Sequence, residues 1–246
     1  MNIIINGAKG RMGRIVDEAA AAGGHAVVAR VDFGYGKGEG LRTLDEYQGP
    51  ADVVVDFSNH AATAQVTEYC VKRGLPVVIA TTGQTGGEQA LIEEATKAVP
   101  VFLSANMSLG VALLADLAKK AAAVFPDADI EIVEKHHNQK LDVPSGTALL
   151  LARRIKEARP EAEFVIGRHE NGKRTQKEIG IHSLRLGNEV GIHEIIIATG
   201  SETVTLKHEA ENRSLFAQGA LAAARFLPGR APGLYDMRHI IAQEGA

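Results

Sequence analysis

The sequence predicts an α/β protein: a Rossmann-like, doubly wound parallel sheet, then an α+β domain with a mixed or antiparallel sheet. Three observations carry this. Short Val/Ile runs such as NIIIN (2–6) and DVVVDFS (52–58) alternate with helical stretches, and strands apolar on both faces belong to parallel sheets covered on both sides. Past residue 129 the strand-like runs follow one another through short turns, as antiparallel strands do. Of the 246 residues 45% are hydrophobic but only 4% aromatic, so a full core is available and must rest on Val, Ile, Leu and Ala.

The elements follow in order. NIIIN (2–6) is a buried strand ending in glycine, and RMGRIVDEAAAAG (11–23) is a helix stopped by Gly23-Gly24. HAVVARVD (25–32) and DVVVDFS (52–58) are strands; AATAQVTEYCVKRG (61–74) is a helix. PVVIATTG (76–83) is a strand, EQALIEEATKA (88–98) a helix and PVFLSAN (100–106) a strand. A helix at about 108–124 leads to the strand DIEIVEKHH (129–137), then a polar loop and another helix. IGIHSLRLG (179–187) and IHEIIIATG (192–200), joined through Asn188–Gly191, and ETVTLKHEA (202–210) are successive strands. ENGKRTQKE (170–178) reads as a polar surface loop, SLFAQGALAAARFL (214–227) as a helix and PGLYDMRHII as a tail. The Leu/Phe/Ala stripe of the 214–227 helix suits packing on a sheet. The expected domains are therefore 1–107 with 211–246, and 108–210.

The formal net charge is −3, with no basic block or stripe, which argues against nucleic acid as the main partner. Cys70 is the only cysteine, so no intrachain disulfide can form. The start, MNIIINGAKG, lacks a signal peptide's features, and no apolar run approaches the ~18 residues of a membrane helix. The expectation is a soluble cytoplasmic protein without a membrane partner.

INGAKGRMG joins the first strand to the first helix, with Gly7, Gly10 and Gly13 spaced by three. Ala8 holds the first standard position of the dinucleotide fingerprint. Such glycines let the backbone turn sharply and approach a pyrophosphate at the helix N-terminus. Asp32 ends the second strand 19 residues after Gly13, near the spacing of a ribose-binding carboxylate. It can also be a plain turn residue. Ala80-Thr81-Thr82-Gly83 and Ser104-Ala105-Asn106-Met107 follow later parallel strands, where a nicotinamide would lie, and Asp56-Phe57-Ser58 is a weaker candidate of the same kind. Lys9, Arg11 and Lys37 are cations near Asp32 that could offset its repulsion of a 2′-phosphate.

EKHHNQKLDVPSGTALLLA (134–152) concentrates the titratable chemistry. A histidine can give or take a proton near neutrality. Lys140 is a cation that can orient a carboxylate. Pro144 precedes Ser145, a good N-cap, and Ser145-Gly146-Thr147 would expose helix N-terminal amides to an anion. The histidines could instead be structural, and the Pro-Ser-Gly-Thr run only a capped helix start. A metal pair is disfavoured, because adjacent strand residues point to opposite faces and no further ligands complete a set.

Together NGAKGRMG, ATTG, SANMSLGV and EKHHNQKLDVPSGTA, with the closing HEAENRSLFAQGA, resemble the 4-hydroxy-tetrahydrodipicolinate reductase (dihydrodipicolinate reductase) family over nearly the whole chain. The resemblance implies reduction of a cyclic imine-type dicarboxylate with NADH or NADPH on the route to diaminopimelate and lysine, in a homotetramer built through the sheet of the substrate domain. It implies His136 as catalytic acid/base and Lys140 as second proton donor. His137, Lys140, Ser145, Gly146 and Thr147 would bind substrate. Gly7, Ala8, Lys9, Gly10, Arg11, Met12, Asp32, Ala80, Thr81, Thr82, Ser104, Ala105, Asn106 and Met107 would bind the nucleotide. No metal is implied. Asn138-Gln139 stand where many members have Arg-His, Val143 where many have Ala, and Ala80 where Gly is frequent. Two rivals remain at this point: a nicotinamide dehydrogenase of other specificity, and a non-catalytic dinucleotide sensor. Neither needs the Lys140 and Ser-Gly-Thr arrangement.

Overall fold

A computed structural model describes residues 1–244. The chain divides into two compact units, Met1–Leu109 together with the segment from Arg213 onward, and Gly110–Asn212. The first expected domain, 1–107 with 211–246, includes residues 245 and 246, which lie outside the described residues. No described helix is long and apolar enough to cross a membrane.

The first unit is a six-stranded parallel sheet. Its strands are β1 (Asn2–Asn6), β2 (Ala26–Val31), β3 (Val53–Asp56), β4 (Val77–Ile79), β5 (Pro100–Leu103) and, late in the chain, β11 (Gly233–Tyr235), in the order β11-β5-β4-β3-β1-β2. Helices α1 (Arg11–Ala22), α2 (Thr63–Arg73) and α3 (Gly86–Ala95) connect them. Ile4, Val54, Val77, Ile79 and Val101 pack with Val66, Tyr69 and Ile92 on one face. Alternation sends Ile3, Ile5 and Phe102 to the other, where α1 packs with α6 (Ser214–Phe226). Phe102 meets Phe226 of α6 edge-on, with ring centroids 6.3 Å apart. The 214–227 helix thus lies on the first sheet. The expected tail contains strand β11 and helix α7 (Met237–Glu244). The order reverses between β1 and β3, and crevices form outside the strand ends at such a switch point.

The second unit holds α4 (Leu109–Val124), β6 (Asp129–His136), α5 (Gly146–Ala158), β7 (Glu163–Ile166), β8 (Glu178–Arg185), β9 (Gly191–Ala198) and β10 (Thr203–Ala210). The sheet order is β10-β9-β6-β8-β7. β6 is parallel to β8 and antiparallel to β9, so the sheet is mixed. The expected β8–β9 neighbours are therefore separated: β6 lies between them. Its alternate side chains are completely buried up to Glu134, which suits a central strand better than an edge. β7 has no clean alternation and was not read from the sequence.

Ile130 and Ile132 of β6, Ile179 and Ile181 of β8, and Ile195 and Ile197 of β9 pack under α4 and α5. The opposite face carries Glu131, Val133, Lys135, His182, Glu194 and Ile196, and no helix of this unit covers it. The 170–178 loop is more than surface: Arg174 reaches this face and donates to Glu131 at 2.7 Å, beside His182, whose Nε2 lies 2.8 Å from the same carboxylate.

Candidate active site

The glycine loop is built as its sequence demands. Gly7 has φ +81°, and a Cβ there would lie 2.6 Å from the Ser58 nitrogen. A Cβ on Gly13 would lie 2.1 Å from the Gly7 carbonyl oxygen. The loop therefore presses on β3's end and on its own helix, with no space for a side chain at Gly7 or Gly13. The amides of Gly7 and Ala8 donate to the Val31 carbonyl at 2.8 and 3.1 Å. Asp32 accepts from the amides of Lys9 (3.0 Å) and Gly34 (2.8 Å). It is thus an oriented carboxylate that also serves the turn.

Beside this loop opens a cleft of about 570 Å³, lined by Asn6, Gly7, Gly10, Asp32, Phe33, Arg42, Thr43 and Ser58 among others. That volume suits a small-molecule or cofactor site. Glycine backbone, a helix N-terminus and an oriented acid fit a dinucleotide. Of the cations noted beside Asp32, Lys9 is committed, donating to Glu39 at 3.0 Å and to the Gly34 carbonyl at 2.7 Å. The cation lining the cleft is Arg42, stacked 5.0 Å from the centroid of the exposed Phe33 ring. Nothing in the local sequence marks Arg42, because a loop brings it back.

At the switch point Asn6 donates to Asp56 at 2.9 Å, and the Ser58 hydroxyl donates to the same oxygen at 2.5 Å. Burial pushes the Asp56 carboxyl up, against the hydrogen bonds from Ser58 and Asn6. Ala80-Thr81-Thr82 follows β4. The Thr81 hydroxyl and carbonyl each accept from Gln84 at 2.9 Å. Ser104 donates to the Asn106 carbonyl at 2.7 Å, and Asn106 Oδ1 accepts from the Ser108 amide at 2.8 Å. Met107 is buried. These loops are turn chemistry as they stand, placed at the carboxyl ends of β4 and β5.

In the second unit, each strand under the helices turns polar at the same end. On β6 the buried phase runs Ile130, Ile132, then Glu134 and His136; on β8 Ile179 and Ile181, then Ser183 and Arg185. β9 runs the other way, so its start supplies His193 below Ile195 and Ile197, and β10 adds His208 opposite His193. Register sets Arg185 beside His136 and His193 beside Glu134. A buried carboxylate needs partners, and this edge provides them.

Glu134 is completely buried. Its Oε2 lies 2.5 Å from His136 Nδ1, and Arg185 grips both oxygens at 2.8 Å. The Ser145 amide donates to Oε1 at 3.1 Å. Burial raises the Glu134 carboxyl, but the bonds from His136 and Arg185 outweigh it and hold the group well below the carboxylate range. The His136 and His193 rings meet edge-on at 5.2 Å. His193 Nε2 lies 3.1 Å from Ser145 Oγ, which also caps α5 by accepting from the Ala148 amide at 3.1 Å. Burial first, then the neighbouring His136, pushes His193 down to about 3, so it is uncharged at neutral pH.

The loop 137–145 closes over this edge. The His137 amide donates to the Glu189 backbone carbonyl at 2.8 Å, and the Val143–Pro144 peptide is cis. Lys140 Nζ pairs with Asp142 at 2.8 Å. The Asp142 carboxyl is raised by burial but lowered more by Lys140. Gly146 is exposed and Thr147 half-buried at the α5 N-terminus. Ser145 gives its amide to Glu134, and the Gly146 amide faces the Asp142 carboxylate, so the α5 N-terminus already meets one anion of the loop. The second unit thus gathers His136, Lys140, Ser145, Gly146 and Thr147 around one edge, with a proton carrier, a cation and a helix N-terminus for an anion. Asn138 and Gln139 are exposed at the tip. Sequence reading missed Glu134, Arg185 and His193, although each sits in phase with buried isoleucines.

Comparison with known proteins points one way. The family profile described as dihydrodipicolinate reductase, N-terminus, matches residues 1–107, and its C-terminus counterpart matches 110–241. A 4-hydroxy-tetrahydrodipicolinate reductase of Caldanaerobacter subterraneus is 46% identical, over 98% of this chain and 98% of its own. One from Clostridium tetani is 42% identical over 96% and 95%. Among solved structures, a dipicolinate-bound dihydrodipicolinate reductase from a Paenisporosarcina species superposes with a TM-score of 0.76 at 26% identity, covering 96% of this chain and 97% of that one.

Proposed function

The chain belongs to the dihydrodipicolinate reductase family and reduces 4-hydroxy-tetrahydrodipicolinate to tetrahydrodipicolinate in diaminopimelate and lysine biosynthesis, with NADH or NADPH as reductant; from that premise we propose how its residues divide the work. The second unit binds the cyclic dicarboxylate and the first binds the nucleotide. Lys140 and the amides of Gly146 and Thr147 take the substrate carboxylates, with His137 and Ser145 completing the pocket. His136 delivers the proton, with Lys140 as the second donor. The observation that carries this reading is the joining of His136, Lys140 and the α5 N-terminus at one polar sheet edge.

The nicotinamide, when bound, supplies the hydride. The residues that would hold the nucleotide are Gly7, Ala8, Lys9, Gly10, Arg11 and Met12 toward the pyrophosphate and Asp32 toward the adenine ribose. Ala80, Thr81, Thr82, Ser104, Ala105, Asn106 and Met107 would hold its nicotinamide end. The packed glycines support this, since any Cβ at Gly7 or Gly13 would strike backbone. Lys140 starts paired with Asp142, so a dianionic substrate exchanges one carboxylate partner for another. That exchange keeps the ammonium neutralised and oriented before binding.

A homotetramer belongs to the same reading. The second sheet's uncovered face, with Val133 and Ile196 among charged residues, suits a second copy. A cytoplasmic setting, without membrane or nucleic-acid partners, accords with the net charge of −3 and the lone Cys70.

The test is nicotinamide absorbance during turnover of the condensation product of pyruvate and aspartate semialdehyde. Lys140→Ala should lower kcat by roughly 10²-fold and raise KM for the dicarboxylate. His136→Ala should lower kcat similarly with a smaller change in KM. Fluorescence titration should find NADH affinity unchanged in both. Near-normal kcat in both variants, or a large loss of NADH binding, would overturn the assignment.

A further inference from the structure

We propose that Glu134 is a positioning residue for proton transfer: its carboxylate fixes the proton of His136 on Nδ1 and leaves Nε2 as the atom that exchanges a proton with substrate. This rests on the reading of His136 as the proton donor. The argument begins with hydrogen-bond capacity. An ionised carboxylate only accepts, so the ring nitrogen 2.5 Å from Glu134 Oε2 must carry hydrogen. Arg185 keeps the acid ionised by gripping both of its oxygens at 2.8 Å. The ring has no freedom to turn over, because an inverted imidazole would set a bare nitrogen or a carbon against a buried anion.

The opposite side of the buried ring meets backbone without a side chain. Gly191 opens β9 beside it, and a Cβ there would lie 3.0 Å from His136 Nε2. The charged and titratable groups around the imidazole are few. Glu134 faces it from its own strand, Arg185 from β8, and His193 from β9 with its ring at 5.2 Å; Lys140 lies on the loop beyond. His193 is held uncharged, so Glu134 is the anion set directly against the ring. In the transfer the Nε2–H bond breaks and its electron pair stays on the ring. The proton joins the substrate as the hydride from NADH or NADPH adds. The ring is left neutral, with Nδ1–H still donating to Glu134.

Glu134 also joins the two halves of the site. One oxygen holds His136 and the other takes the Ser145 amide, at the start of the anion-binding helix. A carboxylate there fixes the distance between proton carrier and substrate anchor.

The experiment uses the full chain in three variants, with NADH and the condensation product as probes. Glu134→Gln offers an amide donor to Nδ1 and removes the charge. Its kcat should fall by about 10²-fold, with KM for the dicarboxylate changed less and NADH affinity unchanged. In a His136→Gln background, the same substitution should cost nothing further. Nitrogen-15 NMR of the wild-type histidines, with His136 assigned by its disappearance in His136→Gln, should show the neutral ring protonated at Nδ1. This last measurement holds even if Glu134→Gln folds poorly. Normal kcat in His136→Gln would remove the proton-donor reading and this proposal with it. Lowered kcat in His136→Gln with normal kcat in Glu134→Gln would overturn the proposal alone, as would additive losses in the double variant or a wild-type Nε2–H tautomer.

Discussion

At the scale of residues, the second unit depends on which groups are charged. His193 is pushed from 6.5 to about 3 by burial and its neighbours. The folded chain therefore binds this proton only in strong acid, whereas the unfolded chain binds it below about 6.5. The unfolded state holds more protons between those values, so stability is full above about 6.5 and falls as pH drops toward 3. From pH 7 to pH 5 this group alone should remove about 2 kcal/mol. Glu134 works in a lower window: its depressed carboxyl stabilises above the ordinary 4.5 and is lost only in stronger acid. Urea melts of wild type and His193→Gln at both pH values would check the first statement. An equal acid loss in the two proteins would contradict it. In the first unit, Asp32 faces the adenine ribose in our assignment while Arg42 lines the same cleft. Both reductants should serve, with NADH preferred. Asp32→Ala should move the kcat/KM ratio toward NADPH by roughly tenfold, the value of one charge-assisted hydrogen bond. An unchanged ratio would show that Asp32 only shapes its turn.

At the scale of elements, legibility followed distance along the chain. The glycine loop and the stretch from Glu134 to Thr147 each lie within a dozen or so consecutive residues, and local rules for turns and caps read them. Ser145 is the N-cap that its sequence suggested. The supports of His136 were not read, because β6 meets Arg185 and His193 only through sheet register. A signal was nonetheless present. Glu134 shares the phase of Ile130 and Ile132, and a carboxylate in a buried phase requires a cation elsewhere. The β8–β9 pairing failed for a related reason: a short turn suggests neighbours, yet a more buried strand can enter between them. The packing of the first loop is testable. Gly13→Ala puts a Cβ 2.1 Å from a backbone oxygen, which no rotamer relieves. It should cost about 1–3 kcal/mol of stability and weaken NADH binding by at least about tenfold. Isothermal titration with NADH would show this, and unaltered affinity would argue against the pyrophosphate assignment.

At the scale of the whole molecule, the proposed assembly rests on the face of the second sheet that α4 and α5 leave open. Val133 and Ile196 stand there among Glu131, Lys135 and Glu194. Sedimentation velocity should find a tetramer, and Ile196→Asp should shift it to smaller species while the isolated fold persists by circular dichroism. A monomeric wild type would refute the assembly. The connectivity has a further consequence, for the order in which a ribosome produces the parts. The second sheet is complete once Ala210 has emerged, since all five of its strands precede that point. The nucleotide sheet, although begun at Asn2, still lacks α6 against β3 and β4 and its edge strand β11. Until those residues emerge, the apolar face carrying Ile3 and Ile5 has no α6 to shield it. The nascent chain should therefore be most prone to aggregate, and most in need of chaperones, in the interval before α6 and β11 emerge.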